Sequence, residues 1–175
     1  MRQALAWAWE QDPAVAVRLV VALAAWWYLR GRFAEAYPLL SEAAGHAAEG
    51  SEVWCDAQLW LSRTVSYAGD LAEALSHDTA VRDAIAGQAP GRVLAECLAE
   101  RTGLLANMGR IAEAVADGRR ALDLARELGY TFAEHAALTG LTIAASKAGD
   151  LDGAFALARQ AEQTSGDMPG QMARN

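Results

Sequence analysis

Residues 30–36 read RGRFAEA, and close copies of this stretch recur three times further along the chain. The later copies are AGDLAEA at 68–74, MGRIAEA at 108–114 and AGDLDGA at 148–154. Each copy has glycine at its second position, a large apolar residue two positions later and alanine five positions after the glycine. The glycines are 38, 40 and 40 residues apart, so the sequence predicts four structural repeats of nearly constant length.

The repeated stretch predicts a tight connection between two helices. Glycine accepts the left-handed conformation that commonly follows the end of a helix, because it has no Cβ atom. Asp70 and Asp150, each directly after a glycine, stand where an N-cap residue would begin the next helix. So short a connection makes two helices pack antiparallel, and the recurring alanine lets them approach closely. We therefore expect four antiparallel helix pairs.

Cap residues also mark the longer connections. Asp12 followed by Pro13 predicts an N-cap and the first helical position, and Ser51 is a second candidate N-cap. Pro90-Gly91 interrupts the chain between the second and third repeats.

A glycine also precedes the eighth predicted helix. Gly129 predicts the end of one helix, and Thr131 with Glu134 three positions later predicts a capping box at the start of the next. Pro38 falls inside the third predicted helix, so that helix either starts near Tyr37 or kinks at the proline. We predict nine helices, at 2–10, 13–30, 33–48, 52–67, 70–86, 92–107, 110–128, 131–148 and 150–164.

Composition bounds the class of protein. The chain has 175 residues, 53% of them hydrophobic, which predicts a folded domain and not a disordered segment. We expect a single domain over 1–165, with repeats at about 13–48, 51–87, 91–128 and 130–165, and a frayed tail at 166–175. The net charge of −7 and the scattered basic residues argue against direct nucleic-acid binding. The longest uncharged apolar run, 19–29, is too short to span a membrane.

No pattern of reactive residues predicts catalysis or a metal site. The three histidines, His46, His77 and His135, fall in different predicted helix pairs, and none has metal-ligand spacing to another candidate ligand. Cys55 and Cys97 are too far apart for a local zinc or redox motif, so we expect two buried thiols in a reducing cytoplasm. We expect no enzyme activity, no cofactor and no bound metal.

The Gly-x-apolar-x-Glu-Ala pairs resemble tetratricopeptide repeats (TPRs), although the usual period of 34 residues is shorter than the period found here. The longer repeats and the opening RQALAWAWEQDP resemble the repeat region of large bacterial transcriptional regulators of the MalT, LuxR and AfsR types. The chain lacks the phosphate-loop motif of their ATPase module, and it has no basic helix-turn-helix candidate. The TPR resemblance implies an all-α, right-handed superhelical stack of about four helix pairs plus one N-terminal helix.

In TPR stacks the first helix of each pair lines a concave groove. Counting back from each glycine, the resemblance implies inner-face positions that include Leu59, Glu96, Ala99 and Ala106. The polar or aromatic ones give six candidate groove-binding residues, namely Arg18, Tyr28, Arg63, Tyr67, Asn107 and Lys147. The groove would accept a protein or peptide partner or a small-molecule effector. The clamp with which some chaperone adaptors hold a terminal carboxylate is not reproduced, because Val21 and Ala25 occupy two of its places.

Two functions follow from the resemblance. The first is a non-catalytic interaction or ligand-sensing domain, a fragment of a bacterial transcriptional regulator. The alternative is a free-standing scaffold or adaptor. All six tryptophans lie in the first 60 residues, and the ends of helical stacks expose apolar surface. Trp7, Trp9 and Trp26 are therefore candidate interface residues, for docking to an absent ATPase domain or to a second copy.

Overall fold

A computed structural model describes residues 2–165, apart from the side chains of residues 2–4, 6 and 165. The predicted tail, 166–175, lies outside the described residues. Within the described range the chain forms nine α-helices and no strand. These are α1 (Arg2–Gln11), α2 (Pro13–Leu29), α3 (Phe33–His46), α4 (Glu52–Tyr67), α5 (Leu71–Ala84), α6 (Arg92–Asn107), α7 (Ile111–Leu128), α8 (Thr131–Lys147) and α9 (Leu151–Ser165).

The helices pack in sequential pairs, as predicted. The chain divides into two compact units, one ending at Ala86 and the next beginning at Gly87. In unit 1, α2 packs with α3, α4 packs with α5, and α3 also contacts α4. In unit 2, α6 packs with α7 and α8 with α9, while α8 also contacts α6 and α7. The all-α paired architecture is confirmed, whereas the assignment of 1–165 to a single domain stays a prediction.

The four predicted hinges adopt the same backbone conformation. Gly31, Gly69, Gly109 and Gly149 have positive φ angles of 65°, 94°, 78° and 84°. At Gly109, the glycine N–H donates to the Ala106 carbonyl at 3.1 Å, and the next N–H donates to the Leu105 carbonyl at 2.9 Å. The other three hinges have the same two bonds, so each first helix ends in a Schellman motif.

The residue after each glycine begins the second helix in one of two ways. The Asp70 Oδ1 accepts from the backbone N–H of Glu73 at 2.9 Å, which is side-chain capping. Arg110 instead donates from Nε to Glu113 Oε1 at 2.7 Å, an ion pair within the first turn. The alanine five positions after each glycine is buried, which confirms the predicted close approach of the paired helices.

Most of the predicted boundaries hold. Asp12 Oδ1 accepts from the N–H of Ala14 at 3.0 Å, and the Ser51 hydroxyl accepts from the N–H of Trp54 at 3.3 Å. The capping box at Thr131 is wrong, because Tyr130 holds the N-cap position and Thr131 is already helical. Glu134 therefore lies one position too late for the box, and it accepts instead from Arg126 Nε at 2.8 Å.

Proline does not delay the start of α3. The helix begins at Phe33 and contains Pro38, so a start near Tyr37 is wrong.

A close crossing of α6 and α8 holds unit 2 together. A Cβ atom added at Gly140 would lie 2.7 Å from Thr102 Cγ2 and 2.9 Å from the backbone nitrogen of Gly103. Such separations leave no room for a methyl group. Glycine at 140 is therefore required by the approach of the two helices.

We expect Gly140→Ala to lower the free energy of unfolding by about 2–3 kcal/mol, because the added methyl overpacks a backbone contact. Gly103→Ala is the matched control, because its Cβ would meet no atom within 4 Å. That control should gain about 0.5–1 kcal/mol from helix propensity. Urea titrations followed by circular dichroism measure both changes, and equal effects of the two substitutions would contradict the crossing.

One half-buried histidine, His77, joins α4 to α5. The His77 Nδ1–H donates to Gln58 Oε1 at 2.6 Å, and burial lowers the pKa of His77 below its usual value, although Glu73 opposes the shift. The unfolded chain therefore binds a proton more readily than the folded one. Protonation of His77 therefore lowers the free energy of unfolding. This loss is absent above the usual pKa of about 6.5 and grows as the pH falls below that value.

We expect acid to destabilise the wild type more than His77→Gln, because glutamine keeps a hydrogen-bonding side chain but takes up no proton. Urea titrations at about pH 7.5 and about pH 5 give the loss of unfolding free energy for each protein. Equal losses in the two proteins would show that His77 does not titrate as described.

Candidate functional site

Four aromatic side chains from three helices meet in unit 1. The Tyr28 ring centroid lies 5.7 Å from that of Phe33, 5.8 Å from Trp60 and 5.9 Å from Tyr67. Phe33 also stacks on Tyr67, with centroids 4.5 Å apart. We call these four residues the aromatic cluster. Its outermost member is Tyr67, which is 69% exposed.

An arginine extends the aromatic cluster along α4. The Arg63 guanidinium carbon lies 4.6 Å from the ring centroid of Trp60, within cation–π range. Arg63 is half-buried. The arrangement therefore combines aromatic surface with a positive charge.

An open cleft lies between α2 and α4, where the first turn of α4 faces the middle of α2. It has a volume of about 550 Å³. Arg18 supplies a positive charge on the α2 side, and Glu52 and Asp56 supply carboxylates on the α4 side. The residues that line this cleft are Arg18, Val21, Ala22, Ser51, Glu52, Val53 and Asp56.

Four of the six candidate groove residues contribute to these two features. Arg18 lines the cleft, Tyr28 and Tyr67 belong to the aromatic cluster, and Arg63 covers Trp60. Phe33 and Trp60 complete the cluster but were not predicted. Phe33 was assigned only to the repeat pattern, because residue spacing along the sequence does not show which side chains meet across a hinge.

One expected inner-face position of α4 is inaccessible. Leu59 was placed on the inner face but is buried, with only 1% of its surface exposed. Its neighbour Trp60 is partly exposed and packs against Tyr28 instead. A bulky aromatic residue next to a buried leucine was the available signal, because tryptophan is rarely buried completely.

The remaining two candidates lie in unit 2. The Lys147 ammonium donates to the backbone carbonyl of Asn107 at 2.8 Å, so the ends of α6 and α8 are joined there. The expected inner-face positions Glu96, Ala99 and Ala106 are buried. Close packing of α8 on α6 therefore leaves little of the expected face of α6 accessible.

The candidate interface tryptophans differ in their surroundings. Trp7 is 64% exposed, whereas Trp9 packs against His46 with ring centroids 5.1 Å apart. Trp26 is 36% exposed, and the guanidinium carbons of Arg30 and Arg32 lie 5.8 and 5.3 Å from its ring. Two further tryptophans, Trp27 and Trp54, belong to the core.

The potentially reactive side chains have structural contacts. Both cysteines are buried free thiols, and burial raises the pKa of Cys55 to about 11, so this thiol is protonated at neutral pH. The His135 Nδ1 lies 3.0 Å from the Ala161 carbonyl and 3.1 Å from the Thr164 hydroxyl. Among the described residues, no three or more metal-ligating side chains are grouped to hold an ion.

None of the helices that the structure describes is long and apolar enough to cross a membrane.

No protein-family model and no curated protein matches the chain. Solved structures do match it along nearly its whole length. BtubC (BKLC) from P. vanneervenii is 19% identical with a TM-score of 0.75, and the match covers 97% of this chain and 72% of that one. A point variant of a Podosopora anserina putative kinesin light chain with nearly identical TPR-like repeats is 17% identical, with a TM-score of 0.70 and coverage of 96% and 84%.

A second structure of the Podosopora anserina repeats is 18% identical, with a TM-score of 0.67 and coverage of 95% of this chain and 84% of that one. Likeness at such low identity establishes the fold alone. The resemblance to the repeat region of bacterial regulators stays a prediction. The chain is a TPR-like helical repeat protein in its fold.

Proposed function

We propose that this chain is a non-catalytic interaction domain that binds an extended peptide segment of a partner protein along α2 and α4. The observation that carries the proposal is the aromatic cluster, which leaves Tyr67 largely exposed beside the charged Arg63. Tyrosine, tryptophan and arginine are the side chains that contribute most binding energy at protein interfaces. This combination therefore favours protein recognition over catalysis.

The dimensions of the surface support an extended ligand. Arg18 in the cleft and Tyr28 in the aromatic cluster are ten residues apart on α2, or about 15 Å along the helix axis. An extended chain advances about 3.3 Å per residue, so four or five peptide residues span this distance. An apolar or proline side chain would contact the aromatic cluster, and polar groups at the other end would reach the charges of the cleft.

A small-molecule effector is the second candidate ligand. The cleft volume of about 550 Å³ falls within the range of about 300–1,000 Å³ typical of ligand pockets. Such pockets bury most of a ligand, however. This cleft is open to solvent, which favours a peptide.

In the wider protein, we propose that the domain works in the cytoplasm as the sensing or interaction module of a bacterial transcriptional regulator. The opening RQALAWAWEQDP and the long repeat period support this context. The alternative is a free-standing scaffold or adaptor. A phosphate-loop sequence upstream or a helix-turn-helix downstream in the same reading frame would support the regulator, and native stop codons at both ends would contradict it.

We expect Tyr67→Ala to weaken peptide binding about 5- to 30-fold, because it removes the most exposed ring of the cluster. The probe is a peptide selected from a library of short random sequences on the wild-type protein, and titration calorimetry measures its affinity. Arg63→Ala should weaken binding of the same peptide.

Leu128→Ala is the control, because Leu128 is also exposed, at 46%, but lies on α7 in unit 2. It should leave the affinity unchanged. A peptide that binds wild type, Tyr67→Ala and Arg63→Ala equally well would place the binding surface elsewhere, as would protection of α7 or α9 alone in hydrogen exchange.

A further inference from the structure

The last helix that the structure describes, α9, carries an exposed apolar stripe. Leu151 and Phe155 are 69% and 70% exposed, and Ala158, one turn further on, is also exposed. The spacing of four and then three residues places these side chains along one side of α9. Large apolar groups aligned in this way on a surface helix commonly mark an interaction site.

The corresponding positions of the preceding helix pair show what packs against such a stripe. Two, six and nine residues after the hinge glycine, α7 has Ile111, Val115 and Gly118. These residues are half-buried or fully buried, and α8 packs on α7. The same positions of α9 are Leu151, Phe155 and Ala158. The stripe therefore has the register of a helix-packing surface, and its natural occupant is another α-helix.

Two charges beside the stripe favour a second copy of this chain as the occupant. Asp152 and Arg159 are seven residues apart and thus lie on the same flank of α9. Both are exposed, and neither forms an ion pair with another described residue. When two identical helices pack antiparallel, position 152 of one lies near position 159 of the other. Each aspartate then faces an arginine, so α9 is complementary to itself in the antiparallel orientation.

We propose that two copies of this chain associate through α9, with the helices antiparallel across a twofold axis. Phe155 and Leu151 of the two copies form the apolar seam. Asp152 of each copy pairs with Arg159 of the other, which gives two symmetric ion pairs at the rim. A closed, isologous contact of this kind is the commonest form of protein dimer.

The contact is small, because one pair of helices buries less accessible surface than a stable interface, which buries about 1,200 Å² or more. We therefore expect a weak dimer whose mass, measured by sedimentation equilibrium, rises with protein concentration between about 5 and about 500 µM. Phe155→Glu should give a monomer throughout this range, since it places two carboxylates at the centre of the seam.

Charge exchange provides the decisive test. Asp152→Arg alone and Arg159→Asp alone each place like charges opposite one another. Each should therefore raise the protein concentration at which half the chains are dimeric at least about tenfold. The double variant Asp152→Arg/Arg159→Asp should dimerise like the wild type. An equimolar mixture of the two single variants should form a heterodimer, because both ion pairs are then restored.

Circular dichroism of every variant verifies that the helices remain folded. A wild type that stays monomeric to about 500 µM would overturn the proposal. Single charge variants that dimerise like the wild type, or a mixture that stays monomeric, would overturn the antiparallel α9 contact.

Discussion

The structure depends on a backbone constraint, the left-handed conformation of the residue that ends the first helix of each pair. The four hinge glycines adopt it, and at each hinge the N–H groups of the glycine and of the next residue donate the two hydrogen bonds of a Schellman motif. This geometry ends the first helix, reverses the chain within three residues and places an alanine of the second helix against the first. Every later feature, including the aromatic cluster and the close α6–α8 crossing, lies on helices that these hinges position.

The two units use the same hinges to build different surfaces. In unit 2 the helices pack through small residues, with a core rich in alanine and with glycine where α8 meets α6. Close approach buries the expected inner positions of α6. In unit 1 the corresponding helices carry Tyr28, Trp60 and Tyr67, whose rings contact one another and form a partly exposed surface near the cleft. Side-chain size, and not the repeat pattern, therefore determines which of the expected inner positions stay accessible.

The fold followed from local sequence signals, while the site followed only in part. A glycine at fixed period and the caps at Asp12 and Ser51 act within a few residues, so the helix pairs and most boundaries were predictable. The prediction of a capping box at Thr131 was wrong because the N-cap lies one residue earlier than expected, and a shift of one residue removes the box. Trp60 and Phe33 were missed because their contacts cross between helices, and the burial of Leu59 depends on the rotation of α4, which a residue count does not supply.

Gly109 provides the most direct test of the central claim, because a Cβ added there would meet no atom within 4 Å. Semisynthesis can replace it with L-alanine or with D-alanine, and thermal or urea unfolding then gives both stabilities. L-Alanine should cost about 1–2 kcal/mol, since positive φ disfavours an L side chain. D-Alanine should be as stable as glycine or more stable by up to about 1 kcal/mol, because it prefers this conformation and restricts the unfolded chain. Equal stabilities of the L- and D-alanine proteins would contradict the account.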